Sequence, residues 1–275
     1  MDSRAFLGVV ATHNPFRWTL DVRPEVCTHG GFLFGGAGLG AAISALEATS
    51  GRRCIWATGQ YLSYARIGEV LDIDVTIAAT GHQITQARAV GHVGNREILT
   101  VNAALGDRPD IPVGQFERMP DVRVPADCPP REHRLAPTGT INERLETRTA
   151  KGRSLAELDG SLGDGNLVMW GRLAGVVDGV DATALAVMGD FVPGAVGQAL
   201  GYRGGGNSLD NTLRVVRLVP TEWVLLDIQV HGVDRGFGHG QVQMFAEDGT
   251  LLATASQSCI VRLRGPDGER TSRRR

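Results

Sequence analysis

Leu71-Asp72-Ile73-Asp74-Val75 and Leu226-Asp227-Ile228-Gln229-Val230 lie 155 residues apart and differ at one position. Each sits in a run whose apolar residues alternate, the pattern of a half-buried strand. The same offset puts Gly81 on Gly236 and Gly94 on Gly249, all suited to turns or bulges. It also pairs Asn102 with Gln257 inside apolar, strand-like ends. Self-similarity at a fixed offset marks a duplicated structural unit, and it decides the architecture before any finer reading.

Upstream of each strand set lies an apolar helix candidate. One runs from Gly36 to Thr49 and is closed by Gly51; the other runs from Ala182 to Leu200 and is closed by Gly201. Glycine at both ends suits a helix C-cap. Ala41, Ala42, Ile43, Ala45, Leu46 and Ala48 cover most faces of the first, so it is expected to be buried on nearly all sides, as inside a curved antiparallel sheet. Between the halves, Gly106 to Thr140 carries prolines at 109, 112, 120, 125, 129, 130 and 137 without apolar periodicity. That stretch reads as a connector. The chain is therefore expected to be α+β: a first unit at 1–106, a Pro-rich linker at 107–140, a second unit at 141–264 and a frayed basic tail at 265–275.

Composition narrows the function. At 275 residues the chain holds two medium units. A net charge of -2, with 42% hydrophobic and 21% charged residues, is ordinary for a soluble globular protein and points to neither nucleic acid nor an anionic membrane. The longest uncharged stretch, Gly30 to Leu46, is Gly-rich and shorter than the roughly 20 apolar residues of a membrane span. Asp2 and Arg4 precede a short apolar run, Ala5 to Ala11, with no small-residue cleavage site after it, so a cytoplasmic location is expected. Cys27, Cys54, Cys128 and Cys259 are scattered, and the seven histidines show no ligand spacing. No metal, disulfide framework or cofactor is expected. Gly36-Ala37-Gly38-Leu39-Gly40-Ala41 does satisfy the dinucleotide pattern G-x-G-x-x-A, but Ile55 to Gln60, where a ribose-binding acid would fall, has no acidic residue.

The ordered motifs carry a family resemblance. His29-Gly30-Gly31-Phe32-Leu33-Phe34-Gly35-Gly36 leads into the first helix, with Ala37 where a glutamine is usual. Gln60-Tyr61-Leu62 and Tyr64-Ala65-Arg66-Ile67-Gly68-Glu69 follow as strand and turn. In the second half come Met188-Gly189-Asp190-Phe191, Ser208-Leu209-Asp210-Asn211, Glu222-Trp223-Val224-Leu225-Leu226, and Asp248-Gly249-Thr250-Leu251 running to Gln257 and Arg262. In this order and spacing the chain resembles the bacterial acyl-CoA thioesterase II family, TesB-like tandem proteins with a double hotdog fold. The resemblance spans roughly Phe16 to Leu105 and Leu167 to Leu263.

That resemblance implies hydrolysis of fatty acyl-CoA, of medium or long chain, to free fatty acid and CoA. It implies a water molecule held by Asp190, Ser208 and Gln257, without metal or covalent serine. A carboxylate can take a proton from that water while a hydroxyl and a carboxamide fix its direction. Backbone N–H groups at Gly35 and Gly36, at the positive end of a helix, would receive the oxyanion, and Tyr61 is a further expected substrate contact. The first half would lend structure and part of the acyl pocket. With Lys151 the sole lysine among 28 basic residues, arginines are the available partners for CoA phosphates. A homodimer or tetramer is expected. Two other readings stay open: a catalytically silent acyl-CoA-binding hotdog, and a hotdog hydratase or dehydratase using Asp227 and His231, which stand with three residues between them where that family has four.

Overall fold

The computed structural model describes residues 1–133, 138–176 and 179–264. The expected tail at 265–275 and the connector residues 134–137 lie outside the described residues. In chain order the first part holds helix α1 (Ser3–Leu7), strands β1 (Val9–Ala11) and β2 (Arg17–Asp21), helix α2 (Gly35–Ser50), and strands β3 (Cys54–Tyr61), β4 (Val70–Thr80), β5 (Ile84–Val93) and β6 (Arg96–Gly106). The second holds α3 (Ile141–Arg144), β7 (Leu145–Lys151), β8 (Asn166–Leu173), α4 (Ala182–Met188), α5 (Val192–Ala199), β9 (Arg203–Ser208), β10 (Asp210–Val215), β11 (Val224–Asp234), β12 (Phe237–Ala246) and β13 (Leu251–Arg264).

All pairings are antiparallel, and they join the strands into a single 13-stranded sheet. Outward from its middle the order is β3-β6-β5-β4-β2 on one side and β10-β13-β12-β11-β8 on the other. The two halves thus repeat one strand order, and pairing of β3 with β10 fuses them into a double hotdog. Thr58 and Thr212 share a hydroxyl hydrogen bond of 2.7 Å across that join.

The duplication is genuine, but its offset differs from the one read in the sequence. Matching ladder bulges equate Ile77 with Val230, an offset of 153, and Leu99 with Ala253, an offset of 154. A two-residue slip along β4 and β11 leaves side chains on the same face, so the alternation survives it. In β6 and β13 the slip is one residue, which reverses the face. Asn102 is exposed on the outer face while Gln257 is buried on the inner one, and Ala103 takes the place of Gln257.

Helix α2 is buried from Gly36 through Leu46, as its all-round apolar pattern requires. It packs antiparallel to α4, backbone close to backbone. A Cβ on Gly36 would meet the carbonyl oxygens of Ala186 and Val187 at 2.8 and 2.9 Å, and one on Gly40 would meet that of Thr183 at 2.9 Å. The second helix candidate, Ala182 to Leu200, is two helices separated at Gly189-Asp190-Phe191. Pro193 is the cause: it has no N–H to offer, and its ring would clash with the carbonyl four residues back, at Gly189.

The connector covers the outer face of the second half. Met119, Val122 and Cys128 pack on Val168, Trp170, Trp223, Leu225, Phe245 and Leu251. Trp170 Nε1 donates to the Arg123 carbonyl at 2.9 Å. Gln115 bridges the β12–β13 turn, donating to Gly249 O at 2.9 Å and accepting from Leu251 N at 2.8 Å.

Candidate active site

The helix break frees the groups that organise the site. Val192 N–H, in the first turn of α5, has no intrahelical acceptor, and Gln257 Oε1 receives it at 3.2 Å. With that end of the carboxamide fixed, Nε2 donates to Ser208 Oγ at 3.2 Å and, in a short contact, to Asp190 Oδ1. Ser208 Oγ donates to the same Oδ1 at 3.0 Å. Asp190 Oδ2 accepts Gly36 N–H at 2.7 Å. The structure therefore brings Asp190, Ser208 and Gln257 together from the helix break, β9 and β13. Behind them, the Asp210 carboxylate accepts Ser258 N–H at 2.8 Å, fixing β13 beside Gln257.

Asp190 also closes a helix from a distance. The residue before α2, Phe34, makes no side-chain cap, so the carboxylate supplies the acceptor that a neighbouring serine or aspartate usually provides, and sits at the positive helix end. Burial pushes the Asp190 carboxyl up to about 6, while hydrogen bonds from Gln257, Gly36 and Ser208 pull the other way. A proton affinity near neutrality suits a general base. Each carboxylate oxygen offers about two lone pairs; two donors occupy Oδ1, and Oδ2 keeps room for one more.

The site opens into a cleft of about 360 Å³ whose walls come from both halves, among them Phe32, Phe34 and Tyr61 on one side and Phe191, Asn207 and Ser208 on the other. Tyr61 Oη donates to Gly35 O at 2.9 Å. Burial, with Asp190 and Asp210 nearby, pushes its phenol well up, so it stays a donor. Gly35 lines the cleft, and a Cβ there would meet Asp190 Oδ2 at 2.7 Å. Gly36, expected beside Gly35 as an oxyanion donor, is buried and outside the cleft lining, and its N–H is given to Asp190.

Arg131 and His133 also line the cleft. Neither is signalled by sequence pattern, because both lie in the aperiodic connector. The alternative pair is not gathered: Asp227 accepts Asn166 Nδ2 at 2.9 Å, His231 is exposed at a bulge of β11, and neither lines the cleft. Among the described residues, no helix is long and apolar enough to cross a membrane.

A fused pair of helix-and-sheet units in one continuous sheet defines the class of tandem hotdog proteins. The family model of the acyl-CoA thioesterase C-terminal domain matches residues 125–261. A protein of Novosphingobium aromaticivorans assigned as a thioesterase is 31% identical, over 92% of this chain and 98% of that one, with a TM-score of 0.82. A hotdog protein of Alicyclobacillus acidocaldarius, 18% identical over 96% and 98% of the two chains, has a TM-score of 0.83. An acyl-CoA thioesterase II of Mycobacterium marinum, 19% identical over 96% and 99%, has a TM-score of 0.72. No curated protein sequence matches the chain. The chain belongs to the acyl-CoA thioesterase family and is a thioester hydrolase.

Proposed function

We propose that the protein hydrolyses medium- or long-chain fatty acyl-CoA to free fatty acid and CoA, with a water molecule activated by Asp190 and oriented by Ser208 and Gln257. One observation carries this reading: a carboxylate with proton affinity near neutrality, fixed by a hydroxyl and a carboxamide, stands in the wall of a cleft lined by both halves. The water oxygen attacks the thioester carbon as its proton passes to Asp190, at the lone pair left on Oδ2. The carbonyl oxygen gains the charge, and Gly35 N–H, at the positive end of α2, is the donor placed to receive it. Collapse of the tetrahedral intermediate re-forms the carbonyl and expels the CoA thiolate, which takes up the proton held by Asp190 and restores the carboxylate. The units at 1–106 and 141–264 act together, the first supplying α2 and part of the acyl wall. A role in fatty acid metabolism, a cytoplasmic setting and a homo-oligomeric state are part of the same proposal.

The test is release of free CoA thiol from acyl-CoAs of short to long chain by wild type and by Asp190→Asn. Loss of a general base predicts a fall of about a hundredfold or more in kcat with the fold intact. Turnover indifferent to the substitution would move the chemistry away from Asp190.

A further inference from the structure

Arg131 presents a cation that the mechanism above does not use. Its backbone N–H is fixed to Thr147 O at 2.9 Å, beside a bridge between Pro130 and Arg148. The connector therefore runs against β7 here. The side chain enters the cleft wall, where Cζ lies 5.0 Å from the centre of the Phe191 ring, and a terminal nitrogen lies 3.0 Å from where a Cβ on Gly194 would stand. Phe191 follows Asp190 directly, so this guanidinium is close to the proposed chemistry.

Among the described residues, no carboxylate pairs with Arg131; its recorded side-chain partner is the face of Phe191. Asp190 is the only acid among the described residues lining the cleft, and its oxygens already receive three donors. The neighbouring ionisable group, His133, adds no compensating charge, and burial, Arg131 and His29 hold its imidazole down. Burial lowers Arg131 to about 10, which leaves it cationic at neutral pH. Arg131 is half-buried in the cleft wall; a partly desolvated guanidinium without an anion is unfavourable, and such groups gather at functional sites. Its planar fork fits two oxygens of one carboxylate or phosphate.

We propose that Arg131 is a specificity residue, whose guanidinium binds an oxyanion carried by the thioester substrate: a phosphate of the coenzyme or a carboxylate on the acyl chain. The proposal rests on the thioester-hydrolase reading, so its test is made independent of turnover. Affinities are measured by calorimetry in an Asp190→Asn background for three compounds. Hexanoyl-CoA is the reference, hexanoyl-pantetheine lacks the phosphates, and adipyl-CoA adds a terminal carboxylate. Arg131→Met removes the charge and Arg131→Lys returns it without the fork; Arg131→Gln replaces the Met variant should that fail to fold.

The expected result is that one of two preferences drops at least tenfold in Arg131→Met and is partly restored in Arg131→Lys. A drop in the preference for hexanoyl-CoA over hexanoyl-pantetheine identifies phosphate as the ligand. A drop in the preference for adipyl-CoA over hexanoyl-CoA identifies the acyl carboxylate. Unchanged preferences overturn the proposal, as do an equal loss for all three compounds, which mere loss of packing on Phe191 would give, and an absence of binding by any of them. Intact binding by a wild type that turns over none of these thioesters would sink only the hydrolase reading.

Discussion

Asp190 holds the N-terminus of α2 and is also the acid in the cleft wall, and its elevated proton affinity makes both roles depend on pH. As the proposed base it must be ionised, so kcat/KM is expected to climb as pH rises through about 6 and then level off. Ser208 is one of the donors keeping that value down, so Ser208→Ala should move the midpoint of the climb upward as well as slow the reaction. A pH profile of CoA release for both proteins checks this. Stability should show the opposite slope. Because the folded carboxyl titrates at about 6, above the ordinary aspartate value of about 3.9, folding favours its protonated form. The advantage is complete below about pH 4 and is lost as pH rises past 6, on the order of 2 to 3 kcal/mol. Asp190→Asn should lack this decline in urea titrations at stepped pH. Asp190, Ser208 and Gln257 were legible in the sequence through the order of motifs around them, and their residue types alone would have said little. The Gly36 N–H on Asp190 was not legible, because it joins residues 154 apart whose meeting depends on the packed helices.

At the scale of elements, the informative departure is the split of the second helix. Apolar periodicity carries straight through Gly189-Asp190-Phe191, so a periodicity reading runs over the break, whereas the position of Pro193 already contained it. The repeat shows the reverse case. Alternation identified the strands, but a second hairpin one residue longer at its turn put Asn102 on the wrong face relative to Gln257. The close approach of α2 and α4 yields a prediction that belongs to the helix pair. In Gly36→Ala the new Cβ would lie 2.8 and 2.9 Å from two backbone carbonyl oxygens, which cannot swing aside as a side chain could. Overpacking of this kind costs about 1–3 kcal/mol. Since the shift also pulls Gly36 N–H from Asp190, kcat should fall with the melting temperature. A variant destabilised to that degree with full turnover would show that the helix cap does not matter to the chemistry.

Across the whole molecule, the double hotdog was readable from the repeat and from the family pattern, whereas the docking of the connector was not, since its apolar residues follow no period and meet the second half only through the fold. The continuous sheet predicts cooperative behaviour. With β3 and β10 paired, neither half can open without exposing the other's inner strand edge, and unpaired edges invite association. Thermal unfolding followed by tryptophan fluorescence and by backbone circular dichroism should therefore give one coincident transition; two separated ones would show that the halves melt independently. The replacement of Gln257 by Ala103 in the first half has a consequence of another kind. Two separate but identical chains must carry every substitution twice, so neither copy can abandon its chemistry alone. Written into one polypeptide, the copies mutate independently, and one can drift toward packing while the other retains reactive groups. Each polypeptide should then count as a single equivalent in an active-site titration, however many polypeptides assemble.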